Sequence, residues 1–153
     1  MVTKSQRTLV LLKPDAVQRG LAGAALQRFE QAGLKIVGMK LMKIDEALAR
    51  KHYAPHVSKP FFPGLLAFIT SSPVVALVLE GPRAVELARK IMGETDPVKA
   101  TPGSIRGDYG LSIGMNLVHG SDAPETAEHE VALFFKPSEL VDYTRDMDRW
   151  IIE

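Results

Sequence analysis

The sequence has 153 residues, 46% of them hydrophobic and 24% charged, which is long enough to bury a substantial core and too apolar for a disordered chain. Nineteen Lys and Arg stand against 18 Asp and Glu, a net charge of +1, so no strong field draws the chain to nucleic acid or to an anionic membrane. Cysteine is absent, which excludes disulfides, thiolate nucleophiles, thiolate zinc sites and iron–sulfur clusters and fits a reducing, cytoplasmic setting. The charge is unevenly spread, with 11 Lys and Arg against 4 Asp and Glu over residues 1–60 and 8 against 14 over residues 61–153.

Leu9-Val10-Leu11-Leu12 is a continuous apolar run of the kind found in a central strand, and Lys13-Pro14-Asp15 stops it, because proline restricts its neighbour and removes a donor. Ala22, Ala25, Leu26 and Phe29 fall at helical spacing, and Gly33 supplies the C-terminal stop. Leu34 to Ile44 then alternates, which predicts a half-buried strand with Val37, Met39 and Leu41 on one face. These three elements make a β-α-β unit.

Residues 60–79 carry no charge over 20 positions, about the length of a bilayer crossing. Pro60, Pro63, Gly64, Ser71, Ser72 and Pro73 interrupt the stretch, so it reads as a buried helix, a turn and a buried strand, with no membrane span. Val74 to Leu79 is that strand. Gly81-Pro82 then opens a helix with proline in its first turn, Ala84, Val85, Ala88, Ile91 and Met92 form its apolar stripe, and Gly93 closes it. A last short strand includes Leu117 and Val118. Two β-α-β halves with helices on one face of a four-stranded antiparallel sheet describe an α+β, ferredoxin-like βαββαβ sandwich in a single domain spanning 1–153. Between the second unit's helix and the last strand, residues 93–115 form a long loop with six prolines and glycines from Pro97 to Gly114. Loops of that length inside compact domains are usually functional or disordered, and this one, carrying Thr95, Arg106 and Asp108 toward His119, reads as part of a site.

His119-Gly120-Ser121-Asp122 sits where the last strand hands over to a helix, with Asp122 as N-cap, Pro124 in the first turn and Glu125 three positions on from the cap. Such an end presents free N–H groups to an anion. A neutral imidazole there is a competent nucleophile near neutral pH, although an isolated histidine at a strand end more often only hydrogen-bonds. Lys13, Arg89 and Arg106 could supply the cations a polyphosphate needs if the fold brings them together; singly, each reads as a surface charge. His52 and His56 have the spacing of a helical metal pair, but Pro55 lies between them and no third ligand is evident, so they read as a surface pair. Phe61-Phe62 reads as core, with a base-stacking platform as the alternative. No P-loop, Rossmann or nucleophile-elbow signature is present.

Four segments together resemble a known family: RTLVLLKPDAVQRG at 7–20, HYAPHVSKPFFPGL at 52–65, GETDPVKATPGSIRGD at 93–108 and NLVHGSD at 116–122. The chain resembles a nucleoside diphosphate kinase over nearly its whole length. The resemblance implies ping-pong transfer of the γ-phosphoryl group of a nucleoside triphosphate, mainly ATP, to a nucleoside diphosphate through a phosphohistidine on His119. Glu130 would orient the ring through the nitrogen that is not phosphorylated. Tyr53 and Lys13 would line the reaction centre, Asn116 would contact the sugar, Phe61 would stack on the base, and Arg89, Thr95 and Arg106 would bind phosphates. Mg2+ would be held mainly by substrate phosphates and water, so no protein metal ligand is expected. The resemblance also implies a homo-oligomer, a hexamer rather than a tetramer given the WIIE ending at 150–153, although Ile152 replaces a tyrosine frequent in the family. Nucleic-acid binding is not expected to be primary. The competing reading is a ferredoxin-like module that binds nucleotides or nucleic acid without turnover.

Overall fold

A computed structural model describes residues 4–153. The Leu9–Leu12 run becomes the heart of β1 (Ser5–Leu12), where all four side chains are at most 1% exposed. Two short helices, α1 (Pro14–Gln18) and α2 (Ala22–Gln31), lead to β2 (Lys35–Met42). Next come α3 (Glu46–His52), α4 (Phe62–Ile69), β3 (Val74–Pro82) and α5 (Ala84–Met92). The remaining elements are α6 (Ile105–Tyr109), β4 (Val118–Gly120) and α7 (Pro124–Phe134). The sheet order is β2-β3-β1-β4, and every pairing is antiparallel. β1 is thus central, and its register sets Leu11 opposite His119.

Helices cover both faces of this sheet, not one. Val10, Leu12, Leu77 and Leu79 point to a cluster with Phe29 of α2 and Ala84, Ala88 and Met92 of α5. Leu9, Leu11, Ala76 and Val78 point the other way, to Ala49 of α3, Ile69 of α4 and Val131 and Phe134 of α7. Unbroken apolar runs in β1 and β3 are what a strand buried on both sides requires, since alternate residues face opposite layers.

β2 departs from the predicted alternation. A register shift between Ile36 and Gly38 places an extra residue against β3, which redirects the side chains beyond it. Val37 is buried, whereas Met39 and Leu41 are 56% and 67% exposed.

The helix over 84–92 starts later than predicted. Pro82 is the last residue of β3, and Arg83 makes the turn in the left-handed region at φ 52°. The long loop also contains more structure than expected. Ser104 caps α6 by accepting from the Gly107 N–H at 3.0 Å. Gly93, at φ 84°, lets this capped turn pack against the end of α5, because a Cβ there would collide with the Ser104 side chain. Asp122 is not the cap of the last helix either; that position is Ala123, with Pro124 in the first turn.

Candidate active site

Lys13 directly follows β1, and the neighbouring strand β4 carries His119, so the antiparallel pairing brings the first strand's charged exit beside the histidine. A cavity of about 290 Å³ opens there, lined among others by Lys13, Tyr53, Arg89, Thr95, Arg106, Asn116, His119 and Glu130. Eight of the nine side chains singled out in the sequence therefore converge. The ninth, Phe61, lies outside the lining; its ring is 54% exposed and sits 5.5 Å from that of His56, which does line the cavity. Phe62, by contrast, is buried in the core. A larger cavity of about 440 Å³, between the start of β1 and the start of α7, holds Arg7 already paired with Glu80 and no comparable cluster.

His119 Nε2 lies 3.0 Å from Glu130 Oε2. A carboxylate only accepts, so this ring nitrogen carries the proton and Nδ1 keeps its lone pair. Ser121, fully buried, donates its hydroxyl to Glu130 Oε1 at 2.7 Å. Burial alone would raise the Glu130 pKa, but the hydrogen bonds from His119 and Ser121 outweigh it and hold the group below the ordinary glutamate value. α7 supplies Glu130 one turn after its buried Ala127, so helix packing fixes the carboxylate that fixes the ring.

The cations are held just as tightly. Lys13 donates to Asn116 Oδ1 at 2.6 Å, and Asn116 Nδ2 donates to the Thr95 carbonyl at 3.0 Å. Burial, with the Arg106 charge nearby, lowers the Lys13 ammonium to about 8. Arg106 spends three donors on backbone carbonyls, those of Gly93, Asn116 and Val118. Its guanidinium therefore ties α5, the long loop and β4 together while leaving other N–H groups free for the cavity. Arg89 pairs with Asp122 at 2.7 Å, not with Glu86, which belongs to Arg83. Burial pushes the Tyr53 phenol up to about 12, so it stays protonated as a donor.

Three site residues escaped the sequence reading. Asp15 Oδ2 accepts from the Leu117 N–H at 2.9 Å, and Leu117, outside β4, holds an unusual φ of 75°. Only the adjacency of Asp15 to the strand exit hinted at this. Ser121 lay within the His119 motif but offered no sign of its partner. His52 is the clearest correction: instead of half of a surface pair, its side chain is 2% exposed and packs edge-on to His119, with ring centroids 4.6 Å apart. The turn Ala54–His56 breaks α3 and separates His52 from His56. His52, His119 and Glu130 form the group of metal-ligand type found among the described residues, with ligand atoms within 4.8 Å of one another.

The family model for nucleoside diphosphate kinase matches residues 6–140. The chain belongs to the nucleoside diphosphate kinase family. It is 60% identical over 147 residues to the nucleoside diphosphate kinase of Thermomicrobium roseum, covering 96% of this chain and 99% of that one. To the Roseiflexus castenholzii protein of the same name it is 60% identical over 148 residues, or 97% and 99% of the two chains. Among solved structures, a halophilic nucleoside diphosphate kinase from Halobacterium salinarum in complex with CDP matches at TM-score 0.95 and 54% identity, over 98% of this chain and all of that one. A family protein from Babesia bovis matches at TM-score 0.93 and 42% identity, over 95% and 99%. The sandwich reached from the sequence is thus the fold of these relatives. Among the described residues no helix is long and apolar enough to cross a membrane.

Proposed function

We propose that this chain is a phosphotransferase that moves the γ-phosphoryl group of a nucleoside triphosphate, chiefly ATP, to nucleoside diphosphates through a phosphohistidine on His119. The observation that carries the assignment of the nucleophile is the engaged Nε2 and the free Nδ1 of His119 in a cavity lined by three cations. The Nδ1 lone pair attacks the γ-phosphorus, the bond from phosphorus to the β,γ-bridging oxygen breaks, and the diphosphate leaves with that electron pair. The Nε2 proton stays in place, and the Glu130 carboxylate balances the positive charge that develops on the ring. In the second half-reaction a terminal oxygen of another diphosphate attacks the same phosphorus, and the Nδ1–P bond breaks.

Lys13 and Tyr53 stand beside the reacting phosphate as donors, Arg89, Thr95 and Arg106 bind the phosphates, and Asn116 reaches the sugar. Phe61, exposed at the rim, stacks on the base, which gives a base-tolerant enzyme because every base has a π-face. The side chains suit a magnesium ion that arrives on the phosphates. The cavity's two carboxylates, Glu130 and Asp122, are engaged by His119 with Ser121 and by Arg89. Bound there, Mg2+ would be held by the nucleotide's phosphates and water and would offset the phosphate charge. A module that merely held nucleotides would have no use for the His119–Glu130 pair.

We further read a cytoplasmic homo-oligomer, a hexamer rather than a tetramer. Exposed Met39 and Leu41 on the outer strand β2 support association, and sedimentation measures the state. The central test is incubation with γ-labelled ATP and Mg2+ without acceptor. Acid-labile, alkali-stable label on the wild type and none on His119→Ala is expected; label that survives the substitution overturns the assignment.

A further inference from the structure

His52 is left unexplained by phosphoryl transfer. Its ring is buried, and neither nitrogen has a hydrogen-bond partner. Nδ1 lies 3.2 Å from Glu130 Oε2, yet no hydrogen bond joins them. An imidazole sealed in without partners costs stability, and its position is narrowly defined: Glu130 Oε2 receives His119 Nε2 at 3.0 Å from one direction and faces His52 Nδ1 at 3.2 Å from another. Tetrahedral zinc, with bonds of about 2.0–2.1 Å, sets its ligand atoms about 3.3–3.4 Å apart. The two spacings to Glu130 Oε2 are within a few tenths of that value, and all three ligand atoms lie within 4.8 Å of one another, so a small side-chain adjustment closes the site. Two imidazoles and one carboxylate are also a donor set that transition ions prefer and that Mg2+, a hard cation seeking oxygen, does not.

We propose that His52, His119 and Glu130 form a site for a zinc-class transition-metal ion, and that occupancy switches the nucleophile off. The switch follows from proton bookkeeping. Metal at Nε2 displaces the proton that Glu130 holds there. A neutral imidazole has only one such proton, and it moves through solvent to Nδ1, the nitrogen whose lone pair attacks phosphorus. Metal ligation and phosphorylation therefore exclude each other, while Ser121 keeps its bond to Glu130 Oε1. The inhibitory half of this inference rests on His119 as the nucleophile; the binding half does not.

The test uses untagged full-length protein and Co2+ as a spectroscopic probe. Among the chain's four histidines and no cysteines, two lie at this site, so other tetrahedral sites have few donors to draw on. Visible bands of tetrahedral Co2+ at one ion per chain, displaced by Zn2+, are expected in the wild type. They should disappear in both His52→Gln and His119→Gln and persist in His129→Gln, which alters an exposed histidine on α7. Zn2+ should lower labelling of the wild type by γ-labelled ATP at least tenfold, with recovery on chelation in excess Mg2+. Absence of the bands in the wild type, or their persistence in both His52→Gln and His119→Gln, overturns the site. Bands that behave as expected alongside undiminished labelling overturn the switch. Bands in a protein that never takes up label would leave the metal site standing and remove the kinase reading instead.

Discussion

Glu130 and His119 meet across the junction of α7 and β4, with the Nε2–H donating to Oε2 at 3.0 Å. One hydrogen bond thus chooses the tautomer, fixes the ring plane and leaves Nδ1 toward the cavity. Replacing Glu130 by Ala removes all three effects, and a misplaced nucleophile costs on the order of 10²-fold in rate. Rapid-quench phosphorylation by ATP should show that loss, with Glu130→Gln recovering part of it because the amide oxygen still accepts. Unchanged kinetics in Glu130→Ala would separate the ring's orientation from catalysis.

Lys13 gives the site a pH limit. Burial, and then the neighbouring Arg106 charge, bring its ammonium down to about 8 from an ordinary 10.5, against a smaller opposing pull from Asp15. Phosphate binding favours the charged form, so nucleotide affinity should fall as pH rises through about 8, at most tenfold per pH unit. Stability moves the opposite way: between about 8 and 10.5 the unfolded chain binds the extra proton, so the contribution of Lys13 to stability rises with pH. Nucleotide titrations at several pH values check this, and Lys13→Met should flatten the dependence on affinity.

Asp15 holds the chain segment that aims the site. It accepts from the Leu117 N–H, and Leu117 sits at φ 75° between Asn116 and the start of β4. Asp15→Ala leaves that buried donor unpaired and should destabilise the fold by about 1–3 kcal/mol. Asp15→Asn, which keeps an acceptor oxygen, should cost clearly less. Chemical denaturation distinguishes the two.

Phe61 should matter for nucleotides and little for folding, since its ring is 54% exposed. Phe61→Ala is expected to weaken nucleotide binding by about 1–3 kcal/mol, equally across bases, with the melting temperature nearly unchanged. Loss confined to one base would indicate recognition of a base edge instead of stacking.

What could be read from the sequence followed from short-range pattern. The Leu9–Leu12 run, the α2 stripe ending at Gly33 and the 84–92 stripe ending at Gly93 all became the expected elements. Lys13 and Arg106 could be nominated because charged residues at a strand exit and in a long loop stand out, whereas Asn116 was named only through the family resemblance. Their hydrogen bonds could not be read, since Lys13 and Asn116 lie 103 positions apart and meet only through the β1–β4 pairing. His52 was misplaced for a related reason: spacing paired it with His56, whereas packing turned it toward Glu130. The bulge in β2 falls beside Gly38 and the left-handed turn at Arg83 directly follows Gly81-Pro82, so local composition marked both places without fixing which residue, Val37 or Arg83, would take up the irregularity.

The Glu130–His119 hydrogen bond decides which ring nitrogen is left to react. After brief phosphorylation by ATP without acceptor, NMR of the alkali-stabilised protein distinguishes a phosphoryl group on Nδ1 from one on Nε2. Glu130 holding Nε2 predicts modification of His119 at Nδ1, with complete transfer to added GDP. A phosphoryl group on Nε2, or on any residue other than His119, would contradict the account.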